Sequence, residues 1–244
     1  MMKRSFPISA LFLCATVFGI LRAQSAPPSV DQILAKYVAA TGGEQAWQKF
    51  HTRISKGRAE IPGQAVFGTA DFYFKAPNKY LYVVSLAELG EIRRGYNGSA
   101  GWEKLSDTAA TDVTGQELAT LQRAADFYQA LDIRKLYSNL AMKGEGKVEG
   151  VPAYIIEATP SDGTTRRMYF DESLGLMIKN EENFTADGQP VHIETEYQDF
   201  RDVDGLKYPF LVMQSNAGST VMIHVTSVQH DQTIDDSLFE KPKV

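Results

Sequence analysis

From residue 51 onward, apolar and polar side chains alternate along short segments, and this pattern limits the possible fold more than any other feature of the chain. The alternation is regular over residues 66–75 and 80–86, as in strands whose successive side chains point to opposite faces. Asn97-Gly98 is typical of a tight hairpin turn. Four more turn dipeptides separate later segments: Glu149-Gly150, Asp162-Gly163, Asp187-Gly188 and Asp204-Gly205. The spacing predicts an antiparallel meander.

Further strands are predicted in the second half of the chain. They cover residues 139–149, 151–159, 165–170, 174–180, 191–200, 206–213 and 219–228. The interior has no Pro/Ser-rich linker and no convincing internal repeat. We therefore expect residues 24–244 to form a single domain of the mainly β (α+β) class.

Two helical regions interrupt the strand pattern. Ser29 and Gln32 have the spacing of a capping box, and the apolar period that follows predicts a helix over residues 30–40. A second, short helix is expected at residues 44–50. Residues 106–114 are polar and are predicted to be a loop. Residues 114–131 are predicted to form an amphipathic helix that covers an apolar face of the sheet. Its core-facing side chains are Leu118, Leu121 and Tyr128.

The amino terminus has the pattern of a secretory signal peptide. Lys3 and Arg4 precede an apolar run over residues 6–20, and small residues follow it. We expect cleavage after Ala23, with Ser25 or Ala26 as the alternatives, so that residues 1–23 are removed. The competing interpretation is an uncleaved anchor helix. The run is shorter than the ~20 residues that a bilayer span needs, and no later segment is long and apolar enough.

The chain has one cysteine, Cys14, inside this apolar run. A lipoprotein signal needs a small residue before the cysteine, and Leu13 stands there, so we expect no lipid anchor. A single cysteine also excludes an internal disulfide framework and cysteine-based metal sites. The exported chain would contain no thiol, which suits an oxidising compartment.

Charge argues against nucleic acid as a partner. The formal net charge is −5, and removal of Lys3, Arg4 and Arg22 leaves 22 basic against 30 acidic residues, a charge of −8. The basic residues are scattered, so neither nucleic-acid binding nor a polybasic membrane patch is expected.

Residues with catalytic or metal-binding potential form no recognisable motif. The four histidines lack metal-ligand spacing, so we expect no metal and no cofactor. His192, Glu194 and Glu196 share one strand face, which we interpret as solvated. In Asn97-Gly98-Ser99-Ala100-Gly101 the serine lies one position away from that of a nucleophile elbow. The sequence therefore predicts a protein that is not an enzyme.

Aromatic and methionine side chains recur on one face of successive strands. A curved sheet with few helices leaves part of its concave face uncovered, and that space would hold an apolar ligand. For any single residue, a place in a packed core is the competing interpretation. The predicted lining consists of Phe72, Phe74, Tyr82, Trp102, Met168, Phe170, Tyr197 and Phe210.

Several motifs resemble those of secreted bacterial proteins related to the periplasmic lipoprotein-sorting carriers, the LolA/LolB-like superfamily. They are residues 39–43 (AATGG), 96–102 (YNGSAGW), 169–171 (YFD), 197–210 (YQDFRDVDGLKYPF) and 234–239 (IDDSLF). The resemblance implies an incomplete antiparallel β-barrel of about eleven strands, wrapped around helices that act as a lid. The helix over residues 114–131, with Leu118, Leu121 and Tyr128, is one candidate lid, and the helix over residues 30–40 is another. It also implies a cavity for lipoprotein acyl chains. The carriers' cavity arginine matches no single position here; Arg53, Arg58, Arg93 and Arg94 are the candidates.

These observations lead to one leading hypothesis and two alternatives. We expect a monomeric periplasmic carrier that binds lipid or lipoprotein acyl chains and works with an envelope protein partner. The first alternative is a structural or interaction module of the cell envelope with a packed interior. The second is a hydrolase acting on envelope material. An accessible apolar cavity would separate the first two hypotheses.

Overall fold

The structure of the protein is a computed structural model that describes residues 27–243. The predicted signal peptide, its cleavage site and Cys14 lie outside the described residues. Between residues 27 and 243, no helix combines the length and the apolar character that a bilayer span requires.

All strands of the described chain belong to one antiparallel sheet of thirteen strands. Their bounds are β1 Thr52–Ile61, β2 Val66–Lys75, β3 Lys79–Leu86, β4 Gly90–Tyr96, β5 Gly101–Leu105, β6 Thr111–Val113, β7 Leu140–Val148, β8 Val151–Ala158, β9 Thr165–Asp171, β10 Met177–Ala186, β11 Gln189–Val203, β12 Leu206–Asn216 and β13 Ser219–His230. The predicted mainly β class is confirmed. The sheet has more than the expected eleven strands, and β6 lies in a segment predicted to be a loop.

The sheet consists of two meanders joined at the first and last strands. The spatial order runs from β6 through β5, β4, β3 and β2 to β1, then from β13 back through β12 to β7. Strands β6 and β7 are the two edges and do not pair with each other. The result is an unclosed barrel, as the resemblance implied.

The first helix, α1 (Val30–Ala40), has the predicted bounds. Both hydrogen bonds of the capping box are present: Gln32 N–H donates to Ser29 Oγ at 3.3 Å, and Ser29 N–H donates to Gln32 Oε1 at 2.8 Å. A four-residue helix, α2 (Glu44–Trp47), follows and is shorter than predicted. Its Trp47 is buried.

The helix predicted over residues 114–131 is two helices, α3 (Gly115–Ala125) and α4 (Gln129–Leu136). The chain leaves the helical conformation at Asp126, whose side chain accepts a hydrogen bond from Tyr128 N–H at 2.9 Å. Phe127 N–H donates to the carbonyl of Pro77 at 3.0 Å. These local and tertiary hydrogen bonds replace the helical ones. Tyr128 therefore lies at the start of α4 and not on the face of a continuous helix.

The helices pack on the inner face of the sheet. Helices α1 and α4 contact each other, and α1 also contacts β7. Their side chains Ile33 and Ile133 share a core cluster with Met168 and Phe170 of β9. Helix α3 crosses the opening of the barrel, because it contacts β3, β4 and β5 on one side and β10 on the other. It is the part of the fold that corresponds to the predicted lid.

The carboxyl-terminal segment covers part of the outer face. A short 3₁₀ helix at Asp236–Phe239 contacts β3. Trp102 packs against Phe239, Leu81 and Ile234, and its Nε1–H donates to the Phe239 carbonyl at 2.8 Å. The expectation that Trp102 faces the concave side is thus wrong, because strand pairing aligns it with Gly95 and Leu81 on the other face.

Truncation of an aromatic side chain should destabilise the fold much more at a buried position of the sheet than at an exposed one. Phe170 is fully buried between the sheet and α1. We expect Phe170→Ala to lower the free energy of unfolding by about 3–5 kcal/mol, because the loss of burial is combined with a cavity. The matched control is Phe67→Ala in β2, where the ring is 59% exposed and the change should stay within about 0.5 kcal/mol. Urea denaturation measures both; equal losses would contradict this packing.

Candidate functional site

A cavity of about 440 Å³ lies between the inner face of the sheet and α3. Strands β1 to β3 and β10 to β13 form most of its walls, β4 and β9 each contribute an arginine, and Thr120, Leu121 and Ala124 of α3 border it. This volume is within the range of small-molecule sites. A part of the concave face is therefore open.

The structure places some of the predicted lining and lid residues in the cavity and the others elsewhere. Phe72, Phe74, Tyr82, Tyr197 and the helix residue Leu121 line the cavity. The others do not: Met168 and Phe170 lie under α1 and α4, Trp102 lies on the outer face, and Leu118 packs on Tyr96 and Val113. Phe210 and Tyr128 pack beside the cluster of Trp47 and Tyr208.

Strand pairing arranges the wall of β1, β2 and β3 into cross-strand rows. Arg53, Phe74 and Tyr80 form the first row, and Ser55, Phe72 and Tyr82 form the second. The third row is Gly57, Ala70 and Val84. The wall thus changes from charged and aromatic side chains to small apolar ones along the strands.

The small-residue end continues into the other side of the barrel. Ala59, Ala70 and Ile223 form a buried apolar cluster, and Val84, Val212 and Val225 pack against it. The three valines and Ile223 line the cavity. This end has the character of a site for hydrocarbon.

Three arginines line the cavity: Arg53, Arg94 and Arg166. Arg94 forms ion pairs with Glu103 and with Glu117 of α3. Arg166 donates to the Tyr137 hydroxyl at 2.7 Å and pairs with Glu182 at 3.2 Å.

The positive charges of Arg94 and Arg166 are stabilised by these ion pairs and hydrogen bonds. Burial alone would lower the pKa of the Arg166 guanidinium, but Tyr137 and Glu182 raise it above its usual range. Both guanidiniums are thus parts of the cavity wall.

Arg53 has different surroundings. Its guanidinium carbon lies 3.9 Å from the centre of the Phe74 ring and 5.1 Å from that of Tyr208. Its buried Nε has no hydrogen-bond partner. Among residues 27–243, no carboxylate lies within 4 Å of it to form an ion pair. Of the four candidate arginines, only Arg53 and Arg94 line the cavity.

The tyrosines of the wall are neutral at ordinary pH. Burial raises the pKa of Tyr37 to about 12, and burial also raises the pKa values of Tyr82 and Tyr197. Their hydroxyls therefore act as uncharged hydrogen-bonding groups, as in the 2.6 Å bond from Asn180 Nδ2 to the Tyr197 hydroxyl.

A hydrogen-bonded chain runs from the surface to the cavity. The exposed Asp204 lies 2.8 Å from Nδ1 of the buried His230, and Nε2 of His230 lies 3.0 Å from the Tyr208 hydroxyl. Burial raises the pKa of Tyr208, the opposite of what activates a phenol as a nucleophile. These hydrogen bonds tie β12 and β13 together.

Over the described range, no cluster of His, Cys, Asp or Glu has the grouping of a metal site.

Helix α3 is attached to both sides of the opening. Glu117 pairs with Arg94 of β4, and Arg123 pairs with Asp162 at 2.5 Å in the loop between β8 and β9. Arg123 also donates to Thr164 Oγ1 at 2.8 Å. The helix thus bridges the two meanders by charge-assisted hydrogen bonds over the cavity.

Comparison with known proteins identifies the fold. No family profile matches the chain, and no characterised sequence matches it significantly. The chain is similar to a LolA superfamily protein from Nitrosomonas europaea, at 15% identity over 88% of this chain and 99% of that chain, with a TM-score of 0.56. It is also similar to a DUF1329 family protein from Desulfovibrio piger, at 14% identity over 86% and 97%, with a TM-score of 0.55.

A third similar structure is a domain from Vibrio parahaemolyticus assigned to outer membrane lipoprotein sorting. Its identity is 9% over 86% of this chain and 95% of that chain, and the TM-score is 0.54. The chain therefore has the fold that these three structures share. The resemblance that the sequence motifs indicate is confirmed for the fold. It is confirmed for the fold alone, because similarity at this level of identity does not extend to ligands.

Acid should weaken the attachment of α3. Burial on its own favours the protonated Asp162, but hydrogen bonds from Thr164 and Arg123 bring its pKa below the usual value. Such a carboxylate stabilises the fold above the unfolded pKa near 4, and this contribution is lost as pH falls through the lower folded pKa. We expect Asp162→Asn to cost about 1 kcal/mol at pH 7, since partial exposure screens the pair.

Urea denaturation at pH 7 and pH 3 tests this expectation. The difference between wild type and Asp162→Asn should shrink at pH 3, because pH 3 lies below the unfolded pKa and the carboxylate then takes up a proton on unfolding. Asp187→Asn is the control, because Asn-Gly forms the same tight turn between β10 and β11. A difference between wild type and Asp162→Asn that is the same at both pH values would show that charge at Asp162 does not hold the helix.

Proposed function

We propose that the protein is a non-enzymatic carrier that holds the hydrocarbon chain of a lipid in the cavity beneath α3. The observation that carries this proposal is the open volume of about 440 Å³ at an inner face lined by Phe72, Val84, Val212 and Val225. A structural module with a packed interior would fill this face. The cavity therefore favours the carrier over the alternative of a structural module.

The energetics of burial support such a ligand. Each methylene transferred from water contributes about 0.8 kcal/mol, so a chain of about a dozen methylenes contributes of the order of 10 kcal/mol before entropic losses. The apolar side chains near Ile223 provide the surface for this burial. No polar group of the ligand is required for this contribution.

The cellular setting of the proposal comes from the sequence and from the fold. The predicted signal peptide, residues 1–23, directs the chain to the periplasm of a bacterium. The similar domain from Vibrio parahaemolyticus is assigned to lipoprotein sorting. We propose that a lipid or the acyl chains of a lipoprotein are the cargo, and that an envelope protein receives it. The carrier acts as a monomer, without a cofactor.

A bulky side chain at the apolar end of the cavity should exclude the cargo. Val225 in β13 lines the cavity, and its neighbour His224 is exposed on the opposite side of the strand. We expect Val225→Trp to weaken binding of a dansyl-labelled fatty acid at least about tenfold, which corresponds to the displacement of two methylenes from the apolar surface. Fluorescence titration measures the dissociation constant.

The matched control is His224→Trp, which introduces the same side chain one position away. It should bind the fatty acid as wild type does, and thermal melting should show that both variants are folded. Equal affinities in wild type and Val225→Trp would place the ligand outside this cavity. The absence of binding to wild type would contradict the carrier function.

A further inference from the structure

The chemical character of the cavity lining changes along β1. Arg53 lies near the beginning of the strand and Ala59 near its end, six residues later. At about 3.3 Å per residue, the two positions are about 20 Å apart. The cross-strand rows place aromatic rings beside Arg53 and small apolar residues toward Ala59. A ligand that is charged at one end and apolar at the other matches this arrangement.

Arg53 differs from the other cavity arginines in its lack of a counter-charge. Arg94 pairs with Glu103 and Glu117, and Arg166 pairs with Glu182. For Arg53, no carboxylate of the described chain lies within 4 Å. Its buried Nε lacks a hydrogen-bond partner, as does Nε of Arg166, but Arg166 has the carboxylate of Glu182 beside it. Arg53 is half-buried, and the partial loss of water around a guanidinium is costly unless an anion pairs with it.

The stacking of Arg53 holds it in place for such an anion. Its guanidinium carbon lies 3.9 Å from the Phe74 ring centre, a distance typical of cation–π contact. Stacking on a ring face leaves the N–H groups at the edge of the guanidinium able to donate to an oxyanion. The aromatic wall thus orients a cation in the cavity without neutralising its charge.

Besides the three arginines, Lys207, Asp126 and Glu182 line the cavity. Glu182 is paired with Arg166, so Lys207 and Asp126 must be weighed against Arg53. Lys207 is also a cation for which residues 27–243 provide no carboxylate within 4 Å, but no aromatic ring is stacked on it. Asp126 lies in the break between α3 and α4, and its carboxylate accepts from Tyr128 N–H at 2.9 Å. Neither residue has the aromatic support that Arg53 has.

We propose that Arg53 binds the anionic head group of the lipid, while its hydrocarbon tail extends toward Ala59, Ala70 and Ile223. The proposal rests on the carrier function and specifies its ligand class: amphiphiles whose head is a carboxylate or a phosphate. The tail supplies affinity by burial, and Arg53 supplies the selection for charge.

The test compares amphiphiles that share a tail and differ in the head. Palmitate and hexadecyl phosphate are anionic, hexadecanol is neutral, and inorganic phosphate is a head without a tail. Calorimetric titration gives each dissociation constant for the full chain. We expect wild type to bind the two anionic amphiphiles about tenfold to a hundredfold more tightly than hexadecanol, and inorganic phosphate far more weakly. The comparison of palmitate with hexadecyl phosphate identifies the preferred head.

Arg53→Met should abolish this preference, because affinity for palmitate and hexadecyl phosphate should fall much further than affinity for hexadecanol. Arg58→Met is the matched control, because Arg58 lies on the same strand but is exposed and outside the cavity. It should retain the preference of wild type. Lys207→Met should reduce the preference less than Arg53→Met does. Thermal melting of each variant shows that it is folded.

Each contrary result has a distinct meaning. Equal binding of palmitate and hexadecanol by wild type overturns the head-group assignment and leaves the carrier function intact. An equal loss of preference in Arg53→Met and either Arg58→Met or Lys207→Met overturns the role of Arg53. Inorganic phosphate that binds as tightly as hexadecyl phosphate identifies a free anion as the ligand. Failure of all three amphiphiles to bind overturns the carrier function as well.

Discussion

The pairing of β1 with β13 is the interaction on which the rest of the structure depends. Each half of the chain forms a meander of neighbouring strands, and this one pairing joins them into a single sheet. It sets Arg53 opposite His230 and brings the rows of β1 to β3 against the walls of β12 and β13. Without it, the two meanders would have no common concave face, and the cavity would not exist.

The two free edges of this sheet determine how the inner face is covered. Strands β6 and β7 do not pair, so the segment between them, α3 and α4, runs across the opening. Helices α1 and α4 fill the part over β7 to β9, where Met168 and Phe170 are buried. Helix α3 bridges the remaining part by its ion pairs with Arg94 and Asp162. The uncovered volume therefore lies next to β1 to β3 and β10 to β13.

The sequence predicts where the helices and strands lie better than it predicts which side of the sheet each side chain faces. Alternation and turn dipeptides indicate the long strands but not the three-residue β6, and the capping box at Ser29 indicates α1 to the residue, because these signals are local. The side of the sheet to which a residue points depends on pairing between strands. Trp102 was assigned to the inner face for its aromatic ring. Gly101 lies there instead, where an added Cβ would come within 2.8 Å of Leu118 and Leu121 of α3.

The break in the lid and the position of Arg53 depend on the same kind of long-range information. At the end of α3, the side chain of Asp126 accepts a hydrogen bond from Tyr128 N–H, and Phe127 N–H donates to the carbonyl of Pro77, a residue far away in the sequence. Arg53 was one of four arginines without a distinguishing signal. Its place on the Phe74 ring follows from the register of β1 and β2, which alternation alone does not define.

The central claim is that the cavity beneath α3 holds a lipid. Native mass spectrometry of the protein purified from its own cell envelope, before and after extraction with organic solvent, tests it most directly. The account predicts an additional mass on the intact protein that extraction removes and that fragments as an acyl-chain amphiphile. A protein that carries only the mass of its polypeptide, and takes up no amphiphile when one is supplied, would contradict it.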